Sequence, residues 1–234
     1  YGALGNHGLE HPLRTLRDEA PPGEGVRLLS DEAAFLVLDA LGDNPRPDRF
    51  AEVDRRSAPP VYWKTGTSFG FRDAWAAGLF GPWVMAVWIG EFDGRSDPAF
   101  VGLSAAAPLF FEIVEALQAE GRARADGTST SRWRPPVPSR LRRVEVCALS
   151  GDLPGPHCHH RESTWFLPGT SPIGVCRIHR EVLIDDASGR RGCGRSGGAL
   201  RPEVMEVWPS DLLRLFAQAG MPRREPPPLD PRCD

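Results

Sequence analysis

The chain has 234 residues, 41% of them apolar and 25% charged, a composition that suits one or two globular domains. A net charge of −3 and an isoelectric point near 6.1 point to no nucleic acid and to no anionic membrane surface. The longest apolar stretches, 33–41 and 105–117, are broken by charge or proline and are too short to span a bilayer. The chain opens on Tyr1 without a signal peptide, as expected of a piece cut from a longer protein.

Residues 1–20 read as a helix end followed by an extended exit through His11-Pro12-Leu13. Ser30 is then expected to cap a helix whose first turn carries Asp31 and Glu32, where the dipole favours acids. Ala34, Leu36, Val37, Leu38 and Leu41 supply its apolar face, and Gly42 ends it. The stretch 44–60 reads as a polar loop. From Val61 the period changes to that of strands. Runs at 61–68, 71–80 and 83–91 are separated by Phe69-Gly70 and Gly81-Pro82, links short enough to force an antiparallel three-stranded meander. Trp63, Trp75, Trp83 and Trp88 fall here and mark it as the best-packed region. A helix over 104–120 presents Leu109, Phe110, Ile113, Val114 and Leu117 as the stripe that covers one sheet face.

The polar, proline-bearing stretch 121–139 reads as a linker between a first domain, 1–120, and a second, 140–234. The second domain holds strand-like pieces at 144–149, 164–167, 175–184 and 204–208. A helix over 211–219, capped by Ser210 and closed by Gly220, precedes a proline-rich tail. Fold class is α+β: an antiparallel sheet flanked by helices, then a small mainly-β domain of immunoglobulin-like or small-barrel type.

Lysine and arginine together number 28, and all but one are arginine. The exception is Lys64. An ammonium is a compact charge that shifts its pKa and passes protons, which a guanidinium does not do, so a lone lysine points to a place where arginine would fail. It sits in Tyr62-Trp63-Lys64-Thr65-Gly66-Thr67-Ser68. On a strand, Lys64, Gly66 and Ser68 point one way and Thr65 and Thr67 the other. A strand glycine is costly unless something approaches the backbone closely. Hydroxyls and an ammonium around it suit an extended peptide that ends in a carboxylate and pairs as an added strand.

Trp63-Lys64-Thr65-Gly66-Thr67-Ser68, followed by Phe69-Gly70-Phe71-Arg72-Asp73-Ala74-Trp75 and Val87-Trp88-Ile89-Gly90, resembles the third sheet strand and its successors in the bifunctional penicillin-binding proteins. Tyr1-Gly2-Ala3-Leu4-Gly5-Asn6-His7-Gly8 resembles that family's helix end. The segments around Cys147, Cys158, Cys176-Arg177-Ile178-His179 and Val207-Trp208-Pro209 are similar to a small C-terminal domain in one subgroup.

The resemblance implies a D,D-transpeptidase wall in a membrane-anchored, periplasmic peptidoglycan synthase that also carries a glycosyltransferase. Its ligands would be stem peptides ending in D-Ala-D-Ala, and β-lactams, with a further cell-wall partner for the C-terminal domain. Lys64 and Thr67 take catalytic places, Thr67 offering its N–H to the oxyanion. Thr65, Gly66, Thr67 and Ser68 line the substrate. The nucleophile of a Ser-x-x-Lys motif is missing, because Val61 stands three residues before the one lysine, and Ser-x-Asn is missing as well. The chain alone is therefore expected to be inactive. A D,D-carboxypeptidase or β-lactamase-like enzyme, and a non-catalytic cell-wall binder, are the alternatives.

All five cysteines lie beyond the linker. A Cys158–Cys176 disulfide is the expectation, with Cys233 left unpaired and His157, His159 and His160 on the surface. Zinc held by Cys158, Cys176, His179 and Cys147 is the alternative, and free thiols the third; no metal ligand and no cofactor is assigned.

Overall fold

The computed structural model describes residues 1–16, 23–47, 59–123 and 133–233. It divides into two compact units, Tyr1–Arg140 and Leu141–Asp234. About half of the linker read at 121–139, and most of the loop read at 44–60, lie outside the described residues.

In the first unit a short helix α1 (Gly2–Gly5) leads into two antiparallel two-residue strands, β1 (Leu9–Glu10) and β2 (Val26–Arg27). Helix α2 (Asp31–Gly42) begins where expected, the Ser30 side chain accepting the Ala33 N–H at 3.1 Å. It does not end on a left-handed glycine: Gly42 is helical, and the cap, Asp43, has φ −79°. Gly42 is needed for space instead, since a β-carbon there would meet the Tyr62 ring at 3.1 Å.

The meander is β3 (Tyr62–Thr67), β4 (Asp73–Phe80) and β5 (Trp83–Gly90), in spatial order β3-β4-β5, with Trp63 opposite Gly78 and Trp75 opposite Trp88. Alternation sorts the side chains into two faces. Val61, Trp63, Ala74, Ala76, Phe80, Val87 and Ile89 share one, and helix α3 (Ala107–Ala123) lies on it through Phe110, Phe111 and Val114. Trp63 stacks on Phe110 at 6.4 Å and meets Phe111 edge-on at 4.7 Å. Each aromatic buried this fully contributes about 1.5–3 kcal/mol. The helix stripe therefore runs through Ala107, Phe110, Phe111 and Val114. Leu109, assigned to it from the sequence, is 44% exposed, because positions 107, 110, 111 and 114 complete the i, i+3, i+4, i+7 row. The chain enters α3 through a π-helical turn, Gly102–Ala106. Pro108 has no N–H to give the Ser104 carbonyl, and the wider turn lets Ala107 N–H reach Gly102 O.

On the opposite face α2 covers only the end bearing Tyr62 and Leu79. Lys64, Gly66 and Ala86 on the same face are exposed. Of the four tryptophans that mark this region in the sequence, only Trp63 is fully buried. Trp75 and Trp83 are about half exposed, and Trp75 leans on Trp88 on this uncovered face.

The second unit is two hairpins, neither a barrel nor an immunoglobulin-like sandwich among the described residues. Strand β6 (Arg142–Cys147) pairs with β7 (Arg161–Phe166), and β8 (His179–Asp185) with β9 (Leu200–Glu206). Helix α4 (Ser210–Gln218) takes Pro209 as its N-cap with no side-chain hydrogen bond, so Ser210 is its first residue and not its cap. Gly220 (φ +72°) follows it as expected. The proline-rich end is docked: Arg191 N–H donates to Pro228 O, Asp230 N–H donates to Arg191 O, and Arg191 Nε donates to Pro227 O at 2.7 Å. Among the described residues no helix is long and apolar enough to cross a membrane.

Candidate functional site

Among the described residues strand β3 is an edge strand, with β4 on one side only. In an antiparallel strand the N–H and C=O of one residue point to the same side, and successive residues alternate. Ser68 N–H donates to Asp73 O, toward β4, at 2.9 Å, while the Trp63 and Thr65 carbonyls accept from the Asn44 and Lys64 side chains. The main-chain groups of Thr65 and Thr67 thus point off the sheet, toward the open edge.

Lys64 is exposed, and its Nζ donates to Thr65 O at 2.8 Å, which brings the ammonium to that edge. Thr67 Oγ1 accepts the Gly102 N–H at 2.9 Å, so the π turn fixes its rotamer and leaves its O–H to donate. Thr65 lies beside it on the same face. Gly66 is exposed; a β-carbon added there would meet only Trp75 Cβ, at an ordinary 3.6 Å. Ser68 serves the turn: its Oγ accepts the Asp73 N–H at 2.8 Å. The structure thus brings Lys64, Thr65, Gly66 and Thr67 to one edge, with Ser68 at its end. Gly102 had no sequence signal, because its role depends on contact with a strand 35 residues away.

The second cluster overturns the cysteine pairing read from the sequence. Cys193 and Cys233 form a disulfide, with Cα atoms 5.9 Å apart, and Cys147, Cys158 and Cys176 are free and buried. Cys233 is therefore not the spare thiol, and Cys158 is not bridged to Cys176. The docked tail carries Cys233 back to Cys193, a closure of 40 residues that local spacing does not reveal. The three free sulfurs each lie 3.5 Å from His179 Nδ1, and all four ligand atoms fall within 4.8 Å of one another. His159 and His160 are exposed and stay outside the group, as does the half-buried His157.

Burial works against a charged Cys176, but the Ser150 hydroxyl and the N–H groups of His179 and Ile178 bring its thiol down to about 7. Cys147 is also lowered against burial, by the N–H groups of Ser150 and Leu149 and by the Ser150 hydroxyl. Cys158 is pushed up to about 11, by burial first and then by its sulfur neighbours. Ser150 has no role assigned from the sequence, although it stands three residues after Cys147 as His179 does after Cys176.

Residues 137–181 match the family model of the penicillin-binding protein 1A C-terminal domain. The chain is 30% identical over 223 residues to penicillin-binding protein 1C of Escherichia coli K12, covering 91% of this chain and 27% of that protein. It is 25% identical over 228 residues to penicillin-binding protein 1A of Clostridium perfringens, covering 87% and 25%. The crystal structure of penicillin-binding protein 1A from Haemophilus influenzae superposes with a TM-score of 0.48 at 22% identity, over 67% of this chain and 23% of that one. That likeness is too loose to carry an argument.

The chain belongs to the penicillin-binding proteins. Within that class its sequence is similar, along nine-tenths of its length, to penicillin-binding protein 1C. It spans about a quarter of the length of the curated relatives it matches.

Proposed function

We propose that the chain forms one wall of the D,D-transpeptidase site in a bifunctional peptidoglycan synthase, anchored in the inner membrane and working in the periplasm. The observation that carries this reading is the open edge of β3, where Lys64 Nζ and the main chain of Thr65 and Thr67 meet. A stem peptide ending in D-Ala-D-Ala, or a β-lactam, adds to that edge as a short strand. The Thr65 and Thr67 hydroxyls hold the terminal carboxylate, and the Thr67 N–H supplies one oxyanion donor. Lys64 contributes positive potential and supports proton transfer at a serine that lies outside these residues. Gly66 favours the same reading, since nothing among the described residues requires a glycine there and a ligand lying against the backbone does.

Fluorescent penicillin tests it in the full-length protein. Wild type should be acylated, and Lys64→Ala should slow acylation roughly 10²-fold or more, the scale of a lost positioned proton-transfer group. Lys64→Arg should recover little of this; a rate equal to wild type would overturn the role given to Lys64. The 234-residue chain alone should take no covalent label, and label surviving denaturation would place the nucleophile within it.

A further inference from the structure

We propose that Cys147, Cys158, Cys176 and His179 bind one zinc ion, through three thiolates and the imidazole Nδ1, and that this ion fastens the two hairpins of the second unit together. The distances argue for a metal over hydrogen bonds. One imidazole nitrogen carries either a proton or a lone pair, so it makes one good hydrogen bond, yet three sulfurs stand around it at the same 3.5 Å. Zinc bonds of about 2.3 Å to sulfur and about 2.0–2.1 Å to nitrogen, at the tetrahedral angle, place sulfur and nitrogen about 3.6 Å apart. The three sulfur–nitrogen distances are close to those such an ion requires. Three thiolates and one imidazole form a set that favours zinc over hard cations, which prefer oxygen.

The backbone is arranged for charged sulfur at two of the four positions. Cys147 receives the N–H groups of Leu149 and Ser150, and Cys176 those of Ile178 and His179, so residues i+2 and i+3 turn back on the sulfur of residue i in both. A zinc-bound thiolate sulfur accepts such N–H groups more strongly than a neutral thiol does. Because all four positions are filled by protein and the three sulfurs are buried, the site is closed, as structural zinc sites are.

The second unit also needs the tie. Its buried apolar residues, among those described, are Leu141, Ile184, Met205 and the three cysteines themselves. A domain with so small a core ordinarily relies on a covalent or metal staple. Cys147 ends β6, His179 begins β8, and Cys158 and Cys176 lie in the loops that precede β7 and β8. One ion at their centre joins both hairpins.

The test is metal analysis of the whole chain, purified in reducing buffer with added Zn²⁺ and then desalted. One zinc per chain is expected, and replacement by Co²⁺ should give the intense visible bands of a tetrahedral site together with thiolate-to-metal charge transfer. Cys158→Ser and His179→Ala should lose stoichiometric metal, while Cys193→Ser should retain it. Should the first two variants fail to fold, wild type alone decides: its three thiols should resist alkylation until a chelator is added. Zinc well below one per chain, cobalt without thiolate bands, or a disulfide among Cys147, Cys158 and Cys176 in the isolated protein would each overturn the proposal.

Discussion

Gly66 and Gly102 approach the same stretch of backbone from opposite faces of the sheet, and space treats them oppositely. A β-carbon on Gly102 would stand 2.5 Å from Gly66 O and 2.8 Å from Trp75 O, backbone atoms that cannot step aside. Gly102→Ala should therefore lift the π turn, strip Thr67 Oγ1 of its N–H donor, and lower stability by about 1–3 kcal/mol, the usual cost of overpacking. Gly66→Ala should stay within about 0.5 kcal/mol of wild type in thermal unfolding. Yet in the full-length protein it should slow acylation by penicillin, because only the ligand needs the space. Equal destabilisation by the two substitutions would show that Gly66 is an internal packing residue. The lone lysine belongs to the same scale: two residues from that glycine, its ammonium reaches the carbonyl of Thr65 at the strand edge.

Among the elements, the C-terminal turn shows how a short segment is held. Arg232 donates to both Asp230 carboxylate oxygens, at 3.0 and 2.7 Å, and its guanidinium also reaches Asp185, which is fully buried. These hydrogen bonds from the Arg232 side chain, and then from its backbone N–H, hold the Asp230 carboxyl at about 2, well below the ordinary aspartate value. A pKa lowered by folding contributes stability that is fully present above the unfolded value near 4. It is lost as the pH falls toward 2. Proteolysis of the C-terminal turn should accordingly accelerate between about pH 4 and pH 2, and Asp230→Asn should remove that pH dependence. If the variant keeps the wild-type profile, the turn is held by something other than this pair. Elements with strong local signals were legible in the sequence: the meander, because its turns are short, and α2, because Ser30, Asp31 and Glu32 mark its start. The face of α3 was read with Leu109 inside, because apolar residues crowd that helix all round and only contact with the sheet selects Phe110 and Phe111. At the candidate site the Lys64-Thr65-Gly66-Thr67 edge was legible from residue type and alternation. The cysteine pairing was not, since it depends on a tail that docks far from its place in the chain.

Across the whole molecule the two units are held by different means. Tyr1–Arg140 has an aromatic core of Trp63, Phe80, Phe110 and Phe111, whereas Leu141–Asp234 relies on the Cys193–Cys233 bridge and the sulfur–imidazole cluster. Chelator with reductant should thus lower the unfolding temperature of the second unit and leave the first near its starting value, as read by hydrogen exchange resolved along the chain. Equal loss of protection in both would show that the second unit has a self-sufficient core. The order of the cysteines adds a matter of timing. Cys147, Cys158 and Cys176 are synthesised before Cys193, and Cys233 follows 40 residues after Cys193. The native bridge must wait for Cys233, while three earlier thiols already stand closer to one another in sequence than the 40 residues that separate Cys193 from Cys233. An oxidant that meets the emerging chain would close those shorter loops first. Capture of the three sulfurs as soon as His179 appears would act as a protecting group during biogenesis, leaving a single pair for the oxidant to join.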